Sequence, residues 1–288
     1  NQVLGELEKY NYDETFWMLN TVWQQLYQGI FTANSAIEEI EKYKEHAGNK
    51  ADANHFIAEA KTIRAWYLLY LTRLWGEIFI AETSDPTTLF DAKLSTKQEV
   101  LQYISEQMDE AIPELSDQHP NQRADIPGGV TKYTALALKS KVDLEMKNYQ
   151  EVADATSQII SSNLFSLEED FYQLFKLKGK LNDENLFEFQ YSDFGKGAGE
   201  TRNYLFAFFG PQNWTPAVQG ANSGWGFWRP TMEYIKFMLD RGEQERLQTT
   251  VLFTPDGITE LEEEYDALPD WISSETPSGD VIENGPRS

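Results

Sequence analysis

Over roughly the first 165 positions the apolar residues recur at steps of three and four, which predicts amphipathic helices. Residues 14–46 form one such stretch. Trp23, Leu26, Tyr27, Ile30, Ile37 and Ile40 keep near-helical spacing, and His46-Ala47-Gly48-Asn49 ends it. The next predicted helix runs from about 51 to 75, so the two make an α-hairpin with a short polar loop. This second helix is apolar on two sides. Phe56, Ala60, Ile63, Tyr67, Leu71 and Leu74 share one face, while Trp66, Tyr70 and Arg73 recur on another. Such a helix needs cover on both sides, as in an array. Arg64 falls among the apolar positions. A buried guanidinium requires a carboxylate or carbonyl partner, so Arg64 is expected to belong to a structural ion pair. Leu74-Trp75-Gly76 is an apolar end followed by glycine in the C′ position.

Thr96-Lys97-Gln98-Glu99 is a capping box that opens a third helix, with Val100, Ile104, Met108 and Ile112 on one face and an end near Pro113. Residues 116–130 are rich in turn formers. Thr131 starts a helix through Tyr133, Ala137, Lys141 and Leu144, and Asn148 separates it from another over 149–161. Ala135, Ala137, Ala153 and Ala155 let these two approach closely, as in a tetratricopeptide-like pair. Beyond about 163 the pattern changes. Residues 186–191 alternate like a strand, and 194–230 are rich in glycine, proline and aromatics without a helical period. A short helix is expected over 232–239, then an acidic, turn-rich stretch over 251–288. The predicted fold is mainly α: a tetratricopeptide-like helical-hairpin solenoid with a loop-rich irregular region and few short strands. The expected division is a helical scaffold over 1–165 and a loop-rich aromatic region over 166–288 packed on it as a single unit.

Composition narrows the chemistry. With 47 acidic against 24 basic residues, the net charge is −23. That disfavours nucleic acid, which needs concentrated Lys and Arg, and adsorption to anionic membranes. Uncharged ligands such as sugars are compatible with it. The absence of cysteine excludes disulfides, thiolate metal sites and cysteine nucleophiles. No segment reaches the roughly 20 apolar residues of a membrane helix, and the opening NQVLGELEKY is not a signal peptide. His46, His55 and His119 lack metal-ligand spacing, and no cofactor motif occurs; Gly195, Gly197 and Gly199 do not make a dinucleotide turn. The acidic run 260–270 lacks the ligand spacing and turn glycine of a calcium loop, which favours a solvated loop. Gly220-Ala221-Asn222-Ser223-Gly224 is not a nucleophile elbow, because its serine is at the wrong offset. No catalytic residues and no metal site are expected.

The candidate binding surface is the run YLFAFFGPQNWTPAVQGANSGWGFWRP over 204–230. Trp214, Trp225, Phe227 and Trp228 lie beside Asn213, Gln219, Asn222 and Arg229. A sugar ring presents an apolar face and a rim of hydroxyls. Flat aromatics stack on the face, while amides and guanidinium bond the rim. The competing structural role for these rings is to anchor long loops on the helical core. Two other functions fit the composition: a peptide-binding helical-repeat scaffold, and a helical glycoside hydrolase with two carboxylates across a cleft.

The stretch EAKTIRAWYLLYLTRLWGEIFI resembles the signature of the SusD/RagB family, carried here by Glu59, Arg64, Ala65, Trp66, Tyr67, Leu74 and Gly76. Trp23, Tyr27, Ile30 and Asn34 are similar to its W-x3-Y-x2-I-x3-N helix. The second helix pair with ENLFEFQY, and GWGFWRPTMEYIKFMLDRGEQERLQTT, follow in the family's order. The resemblance spans roughly 14–255. It implies a surface-exposed outer-membrane lipoprotein that captures glycan and passes it to a SusC-like TonB-dependent transporter without chemistry of its own. The family's lipidated cysteine is missing here, so any membrane attachment rests on an anchor outside this sequence, and the chain is expected to be incomplete at both ends. Sugar contacts differ among members of the family. The site residues therefore rest on the aromatic pattern alone: Trp214, Trp225, Trp228, Phe227, Asn213, Asn222 and Arg229.

Overall fold

The computed structural model describes residues 2–190, 205–211 and 224–275. Ten α-helices are seen in them: α1 Gln2–Glu8, α2 Trp17–Lys44, α3 Lys50–Trp75, α4 Lys97–Ala111, α5 Lys132–Met146, α6 Tyr149–Ser161, α7 Leu205–Phe209, α8 Met232–Asp240, α9 Glu245–Thr250 and α10 Pro255–Glu262. No helix among the described residues is long and apolar enough to cross a membrane. The chain divides into two compact units. One holds Tyr12–Glu168 with Leu181–Phe189; the other holds the segments outside those ranges.

In the helical unit α2 packs on α3, α3 on α4, α4 on α5 and α5 on α6, an array of antiparallel hairpins. The stops and starts follow local chemistry. Asn49 caps α3 by accepting from the Ala51 amide. Gly76 closes that helix at φ 78°, where a side chain would be strained. The Thr96–Glu99 capping box is formed in both directions. The core is apolar and tightly filled: Ile30, Leu68, Leu71, Val100, Ile104 and Met108 are inaccessible to solvent.

The buried faces of α3 differ from the pattern drawn on the sequence. Phe56, Ile63 and Leu74 are exposed, and the buried set is Ile57, Ala58, Ala65, Leu68, Leu69 and Leu71. A helix packed on both sides has two buried stripes, so a single 3.6-residue period cannot locate either of them. Arg64 is buried as expected, but its hydrogen bonds go to amides rather than to a carboxylate. It donates to Asn34 Oδ1 and to Gln107 Oε1, each at 2.7 Å. The bond to Asn34 orients that side chain so that its NH2 reaches the Ala81 and Thr83 carbonyls at 2.9 and 2.8 Å. One charged group thereby fixes a helix and the loop after it. Elsewhere an ammonium bridges the array. Lys139, on α5, meets Asp143 and Asp109 at 3.2 Å each and Ser105 Oγ at 2.9 Å. Burial pulls the Lys139 pKa down, but Asp109 and Asp143 together hold it above its ordinary value.

Three further expectations are corrected. No strand is formed among the described residues: 186–190 is extended and joins no ladder, its Glu188 amide donating singly to the Gly128 carbonyl at 3.2 Å, and the nearest thing to a ladder is an isolated bridge from Ile78 to Ser95. Phe187 is packed against the helical core instead, and Thr134 Oγ1 on α5 donates to the Leu186 carbonyl at 2.8 Å. Alternation reported sidedness there, not pairing. The stretch read as irregular contains α7. The acidic stretch after 251 contains α10, started by Thr254, whose hydroxyl accepts from the Gly257 amide, and by Pro255 at the first helical turn. Its Leu261 is buried in a second core with Ile235, Leu247, Val251 and Phe253.

Candidate functional site

Two short segments of the second unit build the candidate site. Residues 205–211 supply α7 and the turn after it, and 224–230 run alongside as extended chain. Backbone hydrogen bonds join them: Gly224 N–H to Pro211 O at 3.0 Å, Gly226 N–H to Gly210 O at 3.0 Å and Phe227 N–H to Phe208 O at 3.2 Å. The two chains lie so close at Gly224 that a Cβ there would stand 1.9 Å from the Gly210 carbonyl oxygen, so only glycine fits. Ala207 is buried beneath. The extended segment ends at Thr231, the N-cap of α8, whose hydroxyl accepts from the Tyr234 amide. Thr231 also lowers the Glu233 carboxyl, after the larger contribution of Glu233's own amide.

This backbone gathers three described rings about Phe208, with a fourth, Phe209, beside Trp228. Trp225 meets Phe208 edge-on at 5.1 Å, Phe227 is tilted at 5.7 Å, and Trp228 stacks on it at 5.1 Å with 29° between planes. Phe209 lies 5.3 Å from Trp228, and Trp225 lies 5.5 Å from Phe227. Offset and edge-on pairs at these separations are the favoured aromatic geometries. The cluster is not sealed. Phe209 and Trp225 keep 62% and 41% of their surface exposed, and Arg229 follows as an exposed residue. A partly open set of rings followed in the chain by an exposed arginine can take an apolar face with a polar rim.

Of the residues named from sequence, Trp225, Phe227, Trp228 and Arg229 fall in this one place. Asn213, Trp214 and Asn222 lie outside the described residues, as does Gln219. The ring at the centre, Phe208, was not singled out. Its signal was present, since Phe208-Phe209 stands in the same aromatic run, but nothing in spacing reveals which ring of a self-packed group becomes the middle. Among the described residues no group of three or more His, Asp or Glu side chains gathers to hold a metal ion.

Comparison with known proteins adds the following. The SusD-like family model described as "Starch-binding associating with outer membrane" matches residues 2–144. A SusD-like protein of Bacteroides ovatus is 27% identical over 192 residues, which is 62% of this chain and 34% of that protein. Among solved structures, surface glycan-binding protein A from Bacteroides fluxus aligns at TM-score 0.63 and 24% identity, over 72% of this chain and 45% of that one. A laminarin-binding SusD-like protein aligns at TM-score 0.66 and 21% identity, over 76% and 50%. At such identities these structures speak for the fold alone. The chain spans about a third of the length of the curated relative it matches.

Proposed function

We propose that the chain is a SusD-like protein that binds a neutral glycan on the aromatic cluster of Phe208, Phe209, Trp225, Phe227 and Trp228. The observation that carries this reading is the set of rings packed on Phe208 with Trp225 and Phe209 left open. A pyranose ring laid on Trp225 buries its C–H face, while its hydroxyls remain at the rim where Arg229 stands. A laminarin-binding protein and a surface glycan-binding protein share its fold, which supports a polysaccharide as the class of ligand. The protein holds the glycan without cutting it and hands it to a SusC-like TonB-dependent transporter at the outer-membrane surface. Asn213, Trp214 and Asn222 lie outside the described residues and stand as ligand candidates on their side-chain chemistry.

The test is affinity electrophoresis and calorimetry with laminarin, xyloglucan and soluble starch. At least one glycan is expected to retard the protein. Trp225→Ala should weaken that binding about ten- to a hundredfold, the range for removing an aromatic anchor. Release of reducing sugar by the purified chain, or binding untouched by Trp225→Ala, refutes the proposal.

A further inference from the structure

The helical unit has a concave surface of its own. A groove of about 980 Å³ lies between α2 and the 79–89 segment, at the upper end of the range for ligand pockets. Along one wall Gln24, Gln28, Thr32 and Ser35 follow at helical steps, giving about one hydrogen-bonding side chain per 5.4 Å turn. The floor is aromatic, with Trp23, Tyr27 and Phe31 from α2 and Phe79 from the loop after α3. Ser84, Pro86 and Leu89 complete the far side.

That far side is pinned in place before any ligand arrives. The Tyr27 hydroxyl donates to the Phe79 carbonyl at 2.9 Å and accepts from the Phe79 amide at 2.8 Å. Asn34 holds the carbonyls of Ala81 and Thr83, and is itself held by Arg64. The Glu38 carboxylate takes both the amide and the hydroxyl of Ser84, at 2.7 and 2.6 Å. A groove pinned at three points on one helix loses little entropy when it is filled.

Its chemistry selects the ligand. In a chain of net charge −23 the only charged side chain among the described residues lining the groove is Glu39, and Lys42 meets its carboxylate at 2.6 Å. Among the described residues no cation lines it to receive a phosphate or carboxylate. The carboxamides of Gln24 and Gln28 and the hydroxyl of Ser35 make no hydrogen bond among the described residues, so donors and acceptors stand open above aromatic rings. Covering them with an apolar helix would strand two amides, at a cost of about 1–3 kcal/mol each. A polyol satisfies them and also covers the rings.

We propose that this groove is a second binding site for a neutral oligosaccharide, with sugar faces against Trp23, Phe31 and Phe79 and sugar hydroxyls bonded to Gln24, Gln28 and Ser35. It goes beyond the reading above, which needs only the aromatic cluster. The experiment titrates short laminarin, xyloglucan and starch oligosaccharides into four forms of the whole chain: wild type, Trp225→Ala, Gln24→Ala/Gln28→Ala, and both sets combined. All the altered groove residues are exposed, and circular dichroism checks that each form is folded.

The expected result is residual binding in Trp225→Ala that the added glutamine changes weaken by about tenfold, as for two lost hydrogen bonds. Ser35→Trp, which fills the groove, should remove the same component. If Trp225→Ala alone abolishes all binding, the groove proposal is overturned while the cluster stands. If only the glutamine changes matter, the cluster reading is overturned and the groove stands. Absence of binding in wild type rejects both. Self-association that Ser35→Trp abolishes would make the groove an interface between copies, and that also overturns the proposal.

Discussion

Arg64 and Phe208 each sit at the centre of a constellation, and the two constellations differ in kind. Around Arg64, directional bonds run from one guanidinium through Asn34 to two loop carbonyls, buried as far as Ala81 and partly buried at Thr83. Around Phe208 the contacts are ring on ring, and one edge remains open. The first arrangement can tolerate almost no substitution, because every polar group in it has to be matched by another. The second tolerates exchange of one aromatic for another while keeping its binding capacity. A residue pattern that identifies this fold is therefore written in the part that builds, and the part proposed to bind is written loosely.

The sharpest way to break that comparison is at Arg64. Arg64→Met keeps the volume of the stem but leaves Asn34 Oδ1 and Gln107 Oε1 without their donor. The expected loss of stability is about 3 kcal/mol or more, since bonds from a charged donor to buried acceptors are among the costlier ones to remove. Arg64→Lys should recover only part of it, because one ammonium cannot reproduce the spread of a guanidinium. Urea unfolding followed by circular dichroism measures both. Glycan affinity of the Arg64→Lys protein, under conditions where it is fully folded, should match wild type. A large change in affinity there would mean that Arg64 serves the ligand as well.

The next effect is at Tyr27, where the helical unit also has a pH signature. Burial raises the Tyr27 phenol to about 12 against its hydrogen bond to Phe79, and burial raises Tyr103 to about 12 against the pull of Arg64. In the unfolded chain both titrate near 10. Between pH 10 and 12 the unfolded state has released protons that the folded state retains, so stability falls as pH rises. The slope is about 1.4 kcal/mol per pH unit for each tyrosine. This stability is fully present below pH 10. Tyr27→Phe should cost about 1–3 kcal/mol at neutral pH by unpairing the Phe79 amide and carbonyl, and it should remove one tyrosine's share of the alkaline slope. Urea midpoints measured at intervals from pH 8 to 11.5 check both halves. An unaltered slope in Tyr27→Phe would assign the alkaline transition to other groups.

These two residues show how far the sequence could be read. Capping at Thr96, the helix start at Thr131, glycine at 76 and the hairpin loops are local, so they are legible residue by residue. The partners of Arg64 are not, because Asn34 and Gln107 lie 30 and 43 positions away and neither carries a charge to attract notice. α10 is hard to read although Thr254-Pro255 is a start signal, because its many acids hide the buried Leu261. In the candidate site the ring types were legible and their arrangement was not. Phe208 becomes central only through backbone bonds between 207–211 and 224–228, which no local pattern encodes.

The cluster can be probed by a smaller change. Trp225→Phe keeps a ring against Phe208 but loses area and the indole N–H, so glycan affinity should fall only a few-fold, about 1 kcal/mol. Stability should stay near wild type in thermal melts. Gly224→Ala is the contrasting variant. It leaves every ring in the sequence intact but drives a methyl group into the Gly210 carbonyl. If the arrangement matters and not merely the presence of tryptophan, Gly224→Ala should weaken glycan binding more than Trp225→Phe does. The reverse order would show that a single exposed ring suffices.

The smallest expected effect is that of salt, and it decides what Arg229 contributes. Surface charges farther apart than a Debye length, about 8 Å at physiological ionic strength, are largely screened. A neutral sugar offers no charge for that screening to act upon. Raising sodium chloride from about 0.05 to 0.5 M should therefore change glycan affinity less than about twofold, because stacking and hydrogen bonds to uncharged hydroxyls remain. Arg229→Gln keeps a planar donor at the rim and should bind nearly as well as wild type. A fall in affinity with salt that Arg229→Gln eliminates would mean that the guanidinium meets an anion. The ligand would then be a uronic or sulfated glycan, held by a long-range attraction that the acidic remainder of the chain opposes.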